Sequence, residues 1–258
     1  MLERAVRPTL VRRTASATGC ACLVLVTLSM CTALAARAYA ETLATITPLL
    51  SPDRLGATGA LSFTIRFADT GASVPLPVRS STLRFPASMT LEVPHLRSCS
   101  VARLRARGAG GCNPESLLGR GHALVEVDVG SQILTEDVSL SAFLGPLDNL
   151  QPSILILGQG YTPFDERVVM AGAMRPGDAP YGEALTLAIP PIPTLTLEPD
   201  ASIATFSLTV GTHARHGAAA ANTIRVPASC PPGGFPFAGE FTYADGSSAI
   251  STATVPCP

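Results

Sequence analysis

Leu61-Ser62-Phe63-Thr64-Ile65-Arg66-Phe67 alternates an apolar with a polar side chain at every step. Successive side chains of a β-strand point to opposite faces, so this stretch buries Leu61, Phe63, Ile65 and Phe67 and wets Ser62, Thr64 and Arg66. The same period recurs at Ala123/Val125/Val127/Val129, Val138/Leu140/Ala142/Leu144, Leu185/Leu187/Ile189, Ala204/Phe206/Leu208/Val210 and Phe235/Phe237/Phe241/Tyr243. The residues between are mostly polar, as half-buried antiparallel strands require. Shorter candidates lie at Thr42–Thr47, Thr82–Phe85, Met89–Val93, Ser153–Leu157 and Val168–Met174. The pattern predicts an all-β fold, an antiparallel β-sandwich of about 10–12 short strands.

Composition agrees with that pattern. Of 258 residues 47% are apolar and 14% charged, which excludes a disordered, highly charged chain. Pro (23) and Gly (22) are abundant without a Gly-X-Y period, so turns are frequent. Every basic residue other than His is Arg, and Lys and Trp are absent. Helix is scarce. Asn113-Pro-Glu-Ser-Leu-Leu-Gly119 carries a cap residue, a proline at the first helical position and a closing glycine, which suits one or two turns. Ser100–Arg107 offers a second short turn. Near the C-terminus, Asp245-Gly246 lies between two strand-like runs and predicts a type I′ hairpin with positive φ at both residues. Counting outward from it places Cys257 opposite about Gly234. Ile189-Pro-Pro-Ile-Pro193 reads as an extended crossing segment rather than a linker, because the 65 residues after it would make a thin sandwich alone.

Residues 1–40 read as an export signal. Arg4, Arg7, Arg12 and Arg13 precede an uncharged stretch from Ala15 to Ala36, and Ala38-Tyr39-Ala40 suits cleavage before Glu41. The stretch is also long enough to remain as an anchor. A twin-arginine reading of Arg12-Arg13 lacks the apolar residues expected after it, and lipidation at Cys31 is disfavoured by Met30. Residues 41–258 then form one secreted domain. They hold 13 Arg against 18 acids, a formal charge of −5, which disfavours nucleic acid as a partner. No second long apolar run follows, so no membrane span is expected in the mature chain.

Four cysteines remain after the signal: Cys99, Cys112, Cys230 and Cys257. An even number in an exported chain predicts two disulfides, and proximity within two Gly/Pro-rich neighbourhoods favours Cys99–Cys112 and Cys230–Cys257. The spacing does not suit zinc. Cys230–Cys257 closes the larger loop and ties down the last strand. Cys99–Cys112 closes an Arg-rich loop with little core beneath it, so the first bridge is expected to stabilise more.

One set of motifs extends over most of the mature chain: Cys99…Gly111-Cys112-x-Pro114, Leu118-Gly119-x-Gly121-x-Ala123, Phe143-x-Gly145-Pro146, Pro180-Tyr181-Gly182 and Cys230-Pro231-x-Gly-Gly-Phe235-Pro-Phe237…Ala244-Asp-Gly246…Pro256-Cys257-Pro258. It resembles a group of uncharacterised secreted proteins from high-GC bacteria. The resemblance implies secretion, a β-rich fold and the same disulfide pairing, and it carries over no activity. Gly211–Asn222 departs from it as a low-complexity loop.

Chemistry-bearing constellations are sparse. His213-x-x-His216 lies in an Ala/Gly-rich loop without the rigid support that metal ligands need. No G-x-S-x-G elbow accompanies His95 or His122. Glu136-Asp137 and Asp165-Glu166 are neighbours in sequence and would face opposite ways on a strand, unlike a glycosidase pair. Asp165, Glu166 and Asp178 flank one candidate hairpin and form the best calcium candidate, without a D-x-D-x-D-G loop. Gly158-Gln-Gly160 reads as a turn. No catalytic residue, metal or cofactor is therefore expected. The most suggestive feature is Arg97, Arg103, Arg105, Arg107 and Arg120 with only Glu115 among them, a contact surface for an anionic envelope polymer or an acidic protein surface, or else a solvated basic loop. The expected function is non-catalytic binding or structure outside the cytoplasm. A secreted hydrolase with a loop-assembled site and a carrier of a small apolar ligand are the alternatives. A loop-borne Arg surface favours the first, a convergent His/acid/Ser cleft the second and a deep apolar cavity the third.

Overall fold

The computed structural model describes residues 43–69, 71, 74–93, 96–130, 132–162, 165–194, 199–211 and 223–258. The stretch read as an export signal (residues 1–40), His95 and the His213/His216 pair lie outside the described residues. Among the described residues the chain forms thirteen strands: β1 (Ala44–Ser51), β2 (Thr58–Phe67), β3 (Val78–Pro86), β4 (Thr90–Leu91), β5 (Leu117–Asp128), β6 (Ile133–Leu144), β7 (Ser153–Gln159), β8 (Arg167–Pro176), β9 (Tyr181–Ala188), β10 (Ser202–Val210), β11 (Ile224–Arg225), β12 (Phe235–Tyr243) and β13 (Ser248–Val255). One helix, α1 (Val101–Arg107), joins them, with single 3-10 turns at Gly108–Gly111 and Pro114–Ser116. Asn113 caps the second of these as expected, but Leu117–Gly119 already belong to β5 rather than to a helix. Among the described residues no helix is long and apolar enough to cross a membrane.

All ladders are antiparallel. Their order is β13-β12-β3-β9-β8-β7-β6-β5-β10-β2, with β1 paired to β2 beyond and the short β11 and β4 at one end of β2. The sheet curls until its halves face each other across one core, a sandwich-like arrangement. Phe67 of β2 meets Phe241 of β12 edge-on at 5.1 Å, and the Ile46 N–H of β1 donates to Ser251 Oγ of β13 at 3.1 Å. The inward rows anticipated from alternation supply this core, including Leu61, Phe63, Ile65, Val125, Leu140, Leu187, Phe206 and Phe237. The Pro-rich segment after Ile189 crosses from β9 to β10, and its Ile192 carbonyl accepts the Ala201 N–H at 3.0 Å.

The last hairpin differs from expectation by one residue. Thr242 faces Ser248 and the Gly246 N–H donates to the Tyr243 carbonyl at 3.1 Å, so Ala244-Asp245-Gly246 is a three-residue loop. Only Gly246 has positive φ (85°), the single left-handed position that such a loop needs. Asp245 is not among the positive-φ residues, and its Oδ1 accepts the Ser247 N–H at 2.9 Å and hydroxyl at 2.6 Å, which braces the loop. The register pairs Phe235 with Val255, so Cys257 falls opposite Gly233. Both expected disulfides form, with Cα–Cα distances of 5.4 Å for Cys99–Cys112 and 5.9 Å for Cys230–Cys257.

Candidate functional site

Between β4 and β5 the chain leaves the sheet and packs on its outer face. The Cys99 N–H donates to the Leu144 carbonyl at 2.8 Å, which fastens the start of this excursion to the end of β6. Ser100 caps α1 by accepting the Arg103 N–H at 3.4 Å, and Gly108 ends it. Leu104 is wholly buried among Leu117, Phe143, Leu155, Leu157 and Val169, together with Cys99 and Cys112. These strand residues point away from the main core, so β6, β7 and β8 are covered on both faces here. Expecting little core beneath the Cys99–Cys112 loop was therefore wrong. The signal was present: Ile154-Leu-Ile-Leu157 is an unbroken apolar run, the mark of a strand buried on both sides.

The anchoring fixes the arginines. Arg103, Arg105 and Arg107 are exposed on α1, and Arg97 stands just before it, within 3.7 Å of Glu115. Arg103 and Arg107 are four residues apart on a helix whose first turn holds no acid, so their charges repel. Among the described residues neither they nor Arg105 pairs with a carboxylate. The fold adds Arg167, which no spacing in the sequence suggests. The β7–β8 ladder places it opposite Gln159, whose Oε1 accepts from Arg167 Nε at 2.7 Å. A Cβ on Gly108 would stand 3.7 Å from that same nitrogen, so this guanidinium lies at the C-terminal end of α1. Arg120 is separate: it faces outward on β5, opposite Ser141 of β6 and Thr209 of β10.

The other constellations stay apart. His122 is exposed on β5 with Ser139 and Ser207 across its two ladders, and no hydrogen bond joins them. Glu136 is buried and accepts the Tyr161 N–H at 2.8 Å, while its neighbour Asp137 is exposed, as alternation dictates. Asp165 and Glu166 precede β8 and Asp178 follows it, so a ten-residue strand separates the proposed calcium ligands rather than a turn. Gly158 and Gln159 form the end of β7, not a turn. Among the described residues no three His, Cys, Asp or Glu side chains gather as a metal site would need.

The core leaves small apolar spaces at its two ends. One, of about 50 Å³, lies between the ends of β5 and β7 and the crossing segment, with Glu126, Glu136 and Glu166 among its lining residues. The other, of about 60 Å³, lies beneath β4 and β11, and Glu183 is its only ionisable lining residue. Comparison with protein-family models, curated proteins and solved structures finds no match to this chain.

Proposed function

We propose that this chain is exported and works outside the cytoplasm as a non-catalytic binding protein, taking an anionic polymer of the cell envelope on the arginine face of α1. The reading rests on one observation: Arg103, Arg105 and Arg107 are exposed and without carboxylate partners among the described residues, on a helix held rigid by a buried leucine and a disulfide. Arg105 and Arg107 stand in the last turn, where cations suit the helix dipole, but Arg103 lies one turn earlier beside Arg107 and gains no such support, so an external anion is the partner assigned to it. Arginine's planar fork suits carboxylate and phosphate groups, and Arg97 and Arg167 extend the surface at both ends of the helix. Two disulfides fit an oxidising compartment, in keeping with the leader.

The test is retention of the mature chain, beginning at Glu41, on cell-envelope fractions across a salt series. Retention should fall as salt rises, and R103E/R105E/R107E should weaken it roughly tenfold or more if each lost pair is worth up to about 1 kcal/mol. R103E alone sets a Glu four residues before Arg107, so it should weaken binding without lowering the melting temperature. Survival of retention after protease treatment of the fraction identifies a polymer, and its loss an acidic protein surface. Retention indifferent to salt and to these changes refutes the arginine face.

A further inference from the structure

We propose that the apolar space beneath β4 and β11 is a binding site for a small amphiphilic ammonium compound, with its alkyl chain inside and its ammonium group against Glu183. The lining is Leu61 and Phe63 from β2, Leu118 from β5, Ile154 and Ile156 from β7, and Leu208 from β10, with Met89 and Ile224 closing the end. The space is about 60 Å³, room for several waters or a short alkyl chain. Methionine at the closing segment gives a deformable wall.

Glu183 sits on the inward row of β9, opposite Phe85 of β3 and Pro176 of β8, and is half-buried. Its carboxylate has no hydrogen-bond or ionic partner among the described residues. The arginines on the flanking elements are committed elsewhere. Arg84 and Arg175 both face Ala184, on the other side of the sheet, and pair with Glu240 and Asp148; Arg225 of β11 pairs with Glu92 at 2.6 Å. A carboxylate half-buried in apolar surroundings is unfavourable without a cation or donor, and the described residues supply neither. Burial accordingly raises the pKa of the carboxyl above its ordinary value. A ligand carrying both an apolar body and a cation satisfies the two walls at once, because the charged hydrogen bond forms at the mouth while the chain displaces water from the interior.

The experiment titrates the mature, disulfide-intact chain with hexylammonium, hexanol and hexanoate, following side-chain methyl resonances by NMR. Hexylammonium should bind about tenfold more tightly than hexanol, the increment of one charged hydrogen bond, and hexanoate should not bind. Glu183→Gln keeps the volume at a half-buried position, so it should fold. It should erase the preference for ammonium while leaving hexanol binding intact. Glu166→Gln, at the opposite end of the core, should change nothing. Equal affinity for hexylammonium and hexanol, or a preference that survives Glu183→Gln or vanishes with Glu166→Gln, overturns the assignment. Arginine-face binding is measured separately, so either proposal can fail alone.

Discussion

Tyr243 ends β12 with its ring edge-on to Phe67 and its hydroxyl donating to the Leu43 carbonyl at 3.4 Å. Burial first, and the Asp245 carboxylate second, push its phenol up to about 12. In the unfolded chain a tyrosine ionises near pH 10. Above that pH the unfolded state releases its proton while the folded state still holds it, so stability falls as pH rises from about 10 towards 12. Denaturant midpoints measured across that range should fall for the native chain and fall less steeply for Tyr243→Phe. At neutral pH the variant should be less stable by about 1 kcal/mol, the value of one hydrogen bond. Equal slopes would mean that other groups drive alkaline unfolding. Burial of Tyr243 was legible, since it closes the alternating row Phe235/Phe237/Phe241. Its link to Leu43 was not, because two hundred residues separate the two.

Among the elements, the excursion carrying α1 reverses an expectation drawn from sequence. Loop length alone favours Cys230–Cys257, whose cysteines are 27 apart against 13 for Cys99–Cys112, by about 0.6 kcal/mol in the chain-entropy account. Burial acts the other way. Cys99 and Cys112 are 3% and 9% exposed among the apolar residues around Leu104, whereas Cys230 is exposed. Replacing Cys99 and Cys112 by Ala should therefore lower the melting temperature more than replacing Cys230 and Cys257, because it frees α1 and uncovers Phe143, Leu155 and Leu157. A smaller loss at Cys99/Cys112 would show that Leu104 alone holds the excursion. The strands themselves could be read from the two-residue period. The hairpin register was missed by one because Asp-Gly suits both a two-residue loop and the last two positions of a three-residue one. The arginines of α1 were legible as a run; Arg167 joined them only through the β7–β8 ladder.

At the scale of the molecule, what alternation does not encode is strand order, which comes from contacts between distant segments. β10 inserts between β5 and β2, and β12 lies between β13 and β3, so the chain after the crossing at Ile189 completes the sheet built by the chain before it. Without β10 and β12, the first part reduces to β3-β9-β8-β7-β6-β5 with a separate β1–β2 pair, and a two-stranded pair is marginal in water. Phe63 would lose Phe206, now stacked at 6.1 Å, and Phe67 would lose both Phe241 and Tyr243. A fragment covering 43–188 should therefore leave β1 and β2 unprotected in amide hydrogen exchange, and its β3 and β5 edges should drive association. Refolding it together with a fragment covering 189–258 should restore protection in β1 and β2, because the closing contacts, Ile46 with Ser251 and Leu43 with Tyr243, lie across the cut. Protection of β1 and β2 in the first fragment alone would show that the sheet closes without its C-terminal strands, and that the crossing divides two units that fold separately.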